Sequence, residues 1–167
     1  HVKGPDFPTG AVVYGGAPMI QAYRTGRGSV TMRAIAEIVE TKRGRHQIVV
    51  SEIPYNVNKA SLIEKIAELV KEKKVTSIAD LRDESARGTV KIVIDLKKDA
   101  YPKKVLNQLY KLTPLQSNFH YNMLALVDGV QPRVLGLKEM LDEFVKHRRN
   151  VVRRRTEFEL KKAKARA

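Results

Sequence analysis

Six tyrosines, Tyr14, Tyr23, Tyr55, Tyr101, Tyr110 and Tyr121, are the side chains here that could attack phosphorus if activated. A phenol ionises near pH ~10 and needs a cation and a metal-bound phosphate beside it before it becomes a useful nucleophile. Tyr23 stands beside Arg24. Tyr55, in the stretch SEIPYNVNKASLIEKIAELVKEKK, stands close to Lys59. Neither has an acidic metal-binding group nearby in the sequence. Both therefore read as amphipathic rings packed at turns, with Tyr55 the hinge between a strand and a helix. No catalytic residue is expected.

Other chemistry is equally sparse. His1, His46, His120 and His147 show no metal-ligand spacing. Asp80, Asp83 and Glu84, and Asp95 with Asp99, form no Mg²⁺ motif and read as solvated loop carboxylates, so no metal site is expected. The TGRG at 25–28 has two glycines but no following Lys-Ser/Thr and no preceding buried strand, which argues against a nucleotide loop.

The basic residues are more informative. Arg24, Arg27, Arg33, Lys42, Arg43 and Arg45 fall in the first loop and in a hairpin, and Asn58 and Lys59 open a helix. A hairpin tip carrying three cations beside a helix N-terminus offers point charges, guanidinium forks and free backbone donors to phosphate oxygens. These eight residues are the expected DNA-binding set. Aromatic residues make up only 6% and do not interleave with the cations, so single-strand stacking is disfavoured and duplex backbone contact fits better.

The whole chain agrees with that emphasis. Its 167 residues carry 32 Lys and Arg against 18 Asp and Glu, a net charge of +14, far beyond what solubility requires. Hydrophobic residues at 43% are enough for a core. Cysteine is absent, which excludes disulfides and thiolate sites. No apolar run approaches the ~20 residues that span a bilayer. A cytoplasmic location without membrane contact is the expectation. The start without Met and the end inside a helical pattern suggest a piece of a longer protein.

Elements must place these groups. Residues 1–28 are turn-rich, with a helical turn near Met19–Arg24. Residues 30–40 and 46–53 read as two strands joined by the basic turn TKRGR, with Gly44 at the tip. Pro54 ends the second strand, and Asn58 is placed to cap a helix with Leu62, Ile63, Ile66, Ala67, Leu69 and Val70 on its apolar face. DLRDES at 80–85 reads as a polar connection and 89–98 as an alternating strand. Residues 102–113 form a second helix burying Val105, Leu106, Leu109 and Leu112, and 119–127 is the fourth strand candidate. The expected class is α+β: a four-stranded, mostly antiparallel sheet with two helices packed on one face. From Leu137 apolar positions at 137, 141, 144, 151 and 158 predict one long helix with a basic surface, projecting as an arm or packing against another chain.

The segments GPDFPTG, AYRTGRGSV, SEIPYNVNKASLIEKIAELV, LRDES, VLNQLYKLTPLQ, NMLALVDG and FVKHRRNVVRRRTEFELKKAKARA, in this order, closely resemble the A subunits of bacterial type IIA topoisomerases, DNA gyrase and topoisomerase IV. The resemblance covers residues 4–167, and the arginine-rich HRRNVVRRRTEFEL leans to gyrase. It implies a lead-in from a cleavage domain over 1–28, a tower domain over 29–135 that supports the cleaved duplex, and the start of a coiled-coil arm over 136–167. The partners it implies are double-stranded DNA, the gyrase B subunit, plus a second copy of the A subunit. Mg²⁺ and ATP would enter through the B subunit, with no cofactor in this stretch. The family's nucleophile lies in an Arg-Tyr-Thr context that does not occur here; AYRTGRG only shuffles its letters. The stretch alone is therefore expected neither to cleave DNA nor to hydrolyse ATP. The alternatives are the topoisomerase IV paralogue, a structural domain whose basic face meets acidic proteins, and an RNA-binding module.

Overall fold

A computed structural model describes residues 2–41 and 44–166 of the chain. In chain order the elements are β1 (Val12–Tyr14), α1 (Ala17–Thr25), β2 (Arg27–Arg33), β3 (Ile35–Glu40), β4 (His46–Glu52), α2 (Lys59–Lys71), β5 (Ile78–Asp83), β6 (Ile92–Leu96), α3 (Pro102–Leu112), β7 (Gln116–Asn122), β8 (Leu124–Val127), β9 (Gln131–Val134) and α4 (Leu137–Lys164). They divide into two units, one of His1–Gly15 with Val30–Phe119, the other of Gly16–Ser29 with His120–Ala167.

The first unit is built on a four-stranded sheet of order β3-β4-β6-β5, antiparallel throughout. Its register sets Ile48 against Ile94 and Val50 against Ile92, so strand alternation lines one face with β-branched side chains. Leu62, Ile66 and Leu69 of α2, with Val105 and Leu109 of α3, close over those side chains in one core. Each such side chain contributes about 1.5–3 kcal/mol by leaving water. The α+β class with two packed helices is as expected.

The membership of the sheet is not. Its fourth strand is β5, which takes up residues 80–83 of the expected polar connection at 80–85, whereas 119–127 lies elsewhere. As an edge strand β5 turns inward only at buried Ile78 and half-buried Leu81. Its polar side chains pair on the sheet surface: Arg82 bonds Asp95 across in β6 and, at 2.9 Å, Asp80 within β5. An edge leaves one flank and one face wet, which erases the hydrophobic signature of a strand. Residues 30–40 form two strands rather than one. They break at buried Ala34, whose N–H donates to Leu115 O at 2.8 Å, and the two halves enter different sheets. The three-stranded sheet has order β1-β2-β7.

The helices shift in detail. In α2 Ala67 is exposed, and in α3 Leu106 is half-buried and Leu112 exposed, because only the centre of each stripe reaches the sheet. The expected helical turn near residue 19 is a nine-residue helix, α1.

The second unit holds α1, the β8–β9 hairpin and α4. Residues 119–127 break at Met123, whose carbonyl accepts from Leu135 N–H at 3.1 Å. The 28 residues of α4 extend over about 42 Å. Its start is held by the Glu139 carboxylate, which accepts the Gly136 N–H at 3.0 Å. No described residue of α4 is buried, and Leu141, Phe144 and Phe158 are exposed along it. Among the described residues no helix is long and apolar enough to cross a membrane.

Candidate nucleic-acid interface

The β3–β4 turn is closed by its own threonine. Thr41 N–H and Oγ1 donate to Arg45 O at 2.7 and 2.9 Å, and Thr41 Oγ1 accepts from Arg45 N–H at 3.2 Å. Gly44, at φ 68°, donates to Thr41 O at 2.9 Å. With the backbone N–H groups of Thr41, Gly44 and Arg45 bonded within the turn, the Arg45 side chain is left exposed. Lys42 and Arg43 lie outside the described residues.

At the α2 N-terminus, Asn58 Oδ1 accepts Ser61 N–H at 3.0 Å, the expected cap. Lys59 Nζ lies 2.7 Å from Asp83 Oδ2. Lys59 and then Ser85, by hydrogen bonding, hold the Asp83 carboxyl down at about 2. Both residues expected to meet phosphate thus have partners within the fold. Moreover the hairpin tip precedes β4 and Asn58 follows it, so a seven-residue strand about 20 Å long runs between them. The expected convergence of tip and helix start is not present.

Arg33 is also engaged. Its guanidinium carbon sits 4.6 Å from the ring centres of both Tyr14 and Tyr110. Its Nε donates to Gln116 Oε1 at 2.9 Å and its Nη1 to Tyr14 Oη at 3.3 Å. Burial pushes the Tyr110 phenol up despite that cation. Tyr55 occupies a turn in which Val57 N–H donates to Pro54 O at 3.2 Å and Asn56 takes the left-handed φ of 63°. Its ring packs 5.5 Å from Phe7 and 6.2 Å from Phe119, a hinge anchored by apolar contact.

In the second unit α1 ends in Gly26, at φ 75°, whose N–H donates to Ala22 O at 2.8 Å. A Cβ on Gly26 would lie 2.8 Å from Leu135 C, and one on Gly28 2.8 Å from Ala22 Cβ. The glycines of TGRG therefore serve a helix cap and close backbone packing. Arg24 and Arg27, flanking the cap, are exposed. Tyr23 packs 5.9 Å from Tyr121, and burial pushes the Tyr121 phenol up, the reverse of activation.

Four of the five acids weighed for Mg²⁺ are taken by cations, Asp80 and Asp95 by Arg82, Asp83 by Lys59, and Glu84 by Lys91 at 2.8 Å, while Asp99 makes no ion pair among the described residues. They do not fit a Mg²⁺ ion, and no group of three potential metal ligands occurs among the described residues. The hairpin-centred reading overlooked two lysine-rich segments, 71–74 and 97–104. Local charge counting along the chain would have found each.

Comparison with known proteins gives this architecture its context. The family model described as DNA gyrase/topoisomerase IV, the A subunit, matches residues 1–167. The DNA gyrase A subunit of Halalkalibacterium halodurans is 58% identical over 167 residues, covering 100% of this chain and 20% of that protein. Its Escherichia coli K12 counterpart is 56% identical over 168 residues, 100% of this chain and 19% of its own length. That of Ureaplasma parvum is 55% identical over 166 residues, 99% and 20%. The chain thus spans about a fifth of the length of these curated relatives.

Proposed function

Because the chain belongs to the family of DNA gyrase and topoisomerase IV A subunits, we propose that it is the tower segment of a type IIA topoisomerase, gyrase rather than topoisomerase IV, and that it supports duplex DNA through sequence-independent phosphate contacts. The observation that carries this reading is the family match along all 167 residues. The net charge of +14 and the exposed side chains of Arg24, Arg27 and Arg45 support it. Lys42 and Arg43 belong to the same proposed set, whereas Arg33, Asn58 and Lys59 serve it by holding the framework.

In this reading the working enzyme is a cytoplasmic assembly of two A and two B subunits that passes one duplex through a transient double-strand break and introduces negative supercoils. The tyrosine that forms the phosphotyrosyl link, and the Mg²⁺ and ATP chemistry, belong to other parts of that assembly. This chain's residues bind and orient the duplex flank, and α4 leads into the arm.

Duplex affinity of the chain across a salt series tests the reading, with wild type compared with Lys42→Glu/Arg43→Glu/Arg45→Glu. Backbone contact predicts a steep fall in affinity with salt, with a slope that loses up to about 0.9 per lost phosphate contact in the variant. Weak binding with little salt dependence, unchanged by the substitutions, would make the chain a strut that meets other proteins.

A further inference from the structure

We infer that the lysine-bearing end of the four-stranded sheet, where the α2 C-terminus, the β6–α3 connection and the first turn of α3 meet, is a second phosphate-backbone surface for duplex DNA. The inference rests on the DNA-holding reading above and assigns to it residues outside the hairpin. Segments 71–74 and 97–104 together hold seven lysines and two acids, Glu72 and Asp99.

The fold brings them to one place. Gln47 of β4 pairs with Asp95 of β6, so two residues further along the strands Arg45 and Lys97 leave the sheet at the same end. Lys97 N–H donates to Ser77 O at 2.9 Å, tying that exit to the chain that leaves α2. Lys74, Ser77, Asp99, Tyr101 and Lys104 line a common recess of about 220 Å³.

Folding alone does not account for these charges. Lys71, Lys73, Lys97, Lys98, Lys103 and Lys104 are exposed and make no ion pair among the described residues; Lys74 pairs with Glu72 at 2.8 Å. Lys71 suits the negative end of α2, but Lys103 and Lys104 stand in the first turn of α3, which has no acid and where the helix dipole repels cations. An anion from outside removes that repulsion. Protein interfaces deplete lysine at their centres and need apolar anchors, and this end offers one large exposed apolar ring, Tyr101. A field of mobile ammonium groups instead suits a polyphosphate backbone, which gains affinity by releasing counterions.

The test uses the 167-residue chain with Lys97→Gln, Lys98→Gln, Lys103→Gln and Lys104→Gln combined, and the Lys97→Gln/Lys98→Gln pair as a milder variant, each checked by circular dichroism. Duplex affinity at low salt should fall about tenfold or more for the quadruple variant, with the salt slope reduced by up to about 3.6. The hairpin triple variant should also lose affinity, and the combined variant should bind more weakly than either alone. If the hairpin variant weakens binding while both lysine variants match wild type, this inference fails and the DNA-holding reading stands. If wild type shows no salt-dependent duplex binding, both fall. Competition by polyglutamate equal to that by duplex DNA, charge for charge, would assign the surface to an acidic protein and overturn the inference.

Discussion

Lys59 Nζ reaches Asp83 Oδ2 at 2.7 Å and so ties the first turn of α2 to the last residue of β5. A lysine that looks free at a helix start is the counter-ion of a strand-end carboxylate. Asp83 is held at about 2, below its ordinary value near 3.9. A depressed carboxylate pKa contributes stability that is complete above the unfolded value and is lost as pH falls through the folded one. Acid unfolding of wild type should therefore include a loss between about pH 4 and pH 2 that Asp83→Asn lacks. Denaturant midpoints measured across that range check this; parallel curves for the two proteins would remove the ion pair from the account.

Asn58→Ala should cost about 1 kcal/mol, since Ser61 N–H loses its acceptor, while Asn58→Asp retains it. Urea unfolding gives the stability and duplex titration the affinity. A cap predicts that only the first changes.

Arg33→Lys keeps the charge but loses the flat guanidinium over Tyr14 and Tyr110 and the Nε bond to Gln116. About 1 kcal/mol of stability should disappear, visible in thermal melts, with duplex affinity unaltered. An affinity loss at unchanged stability would return Arg33 to the DNA surface.

Gly26 and Gly44 both take left-handed backbone, at φ 75° and 68°. A Cβ on Gly44 meets nothing within 4 Å, whereas one on Gly26 meets Leu135 backbone and, at 2.9 Å, Val134 Cγ1. Gly44→Ala should cost about 1 kcal/mol from the backbone alone. Gly26→Ala adds overlap to that strain and should cost about 3 kcal/mol or more. Equal melting temperatures for the two variants would contradict the close approach.

Some of this was legible from residue order because the signals are local. The Asn58 cap acts over three residues, and the α2 stripe and β6 alternation repeat over four and two. The β3–β4 hairpin announced itself by its turn. Strand β5 hid because an edge needs few apolar residues. The break at Ala34 hid because the N–H it turns away from the ladder finds its acceptor on Leu115, far along the chain.

By itself the sequence determined the charge excess, the α+β class, the long last helix and the family resemblance, all properties of composition, short-range period or motif order. Only the tertiary structure decided which cations are free. Arg33 and Lys59 look as available as Arg45 in one dimension, yet Tyr110 and Asp83, distant in sequence, occupy them. The lysines of 71–74 and 97–104 are two ordinary polar stretches until β6 carries the second to the end of the sheet where the first emerges. Coulomb energy depends on distance in space, and strand pairing sets that distance.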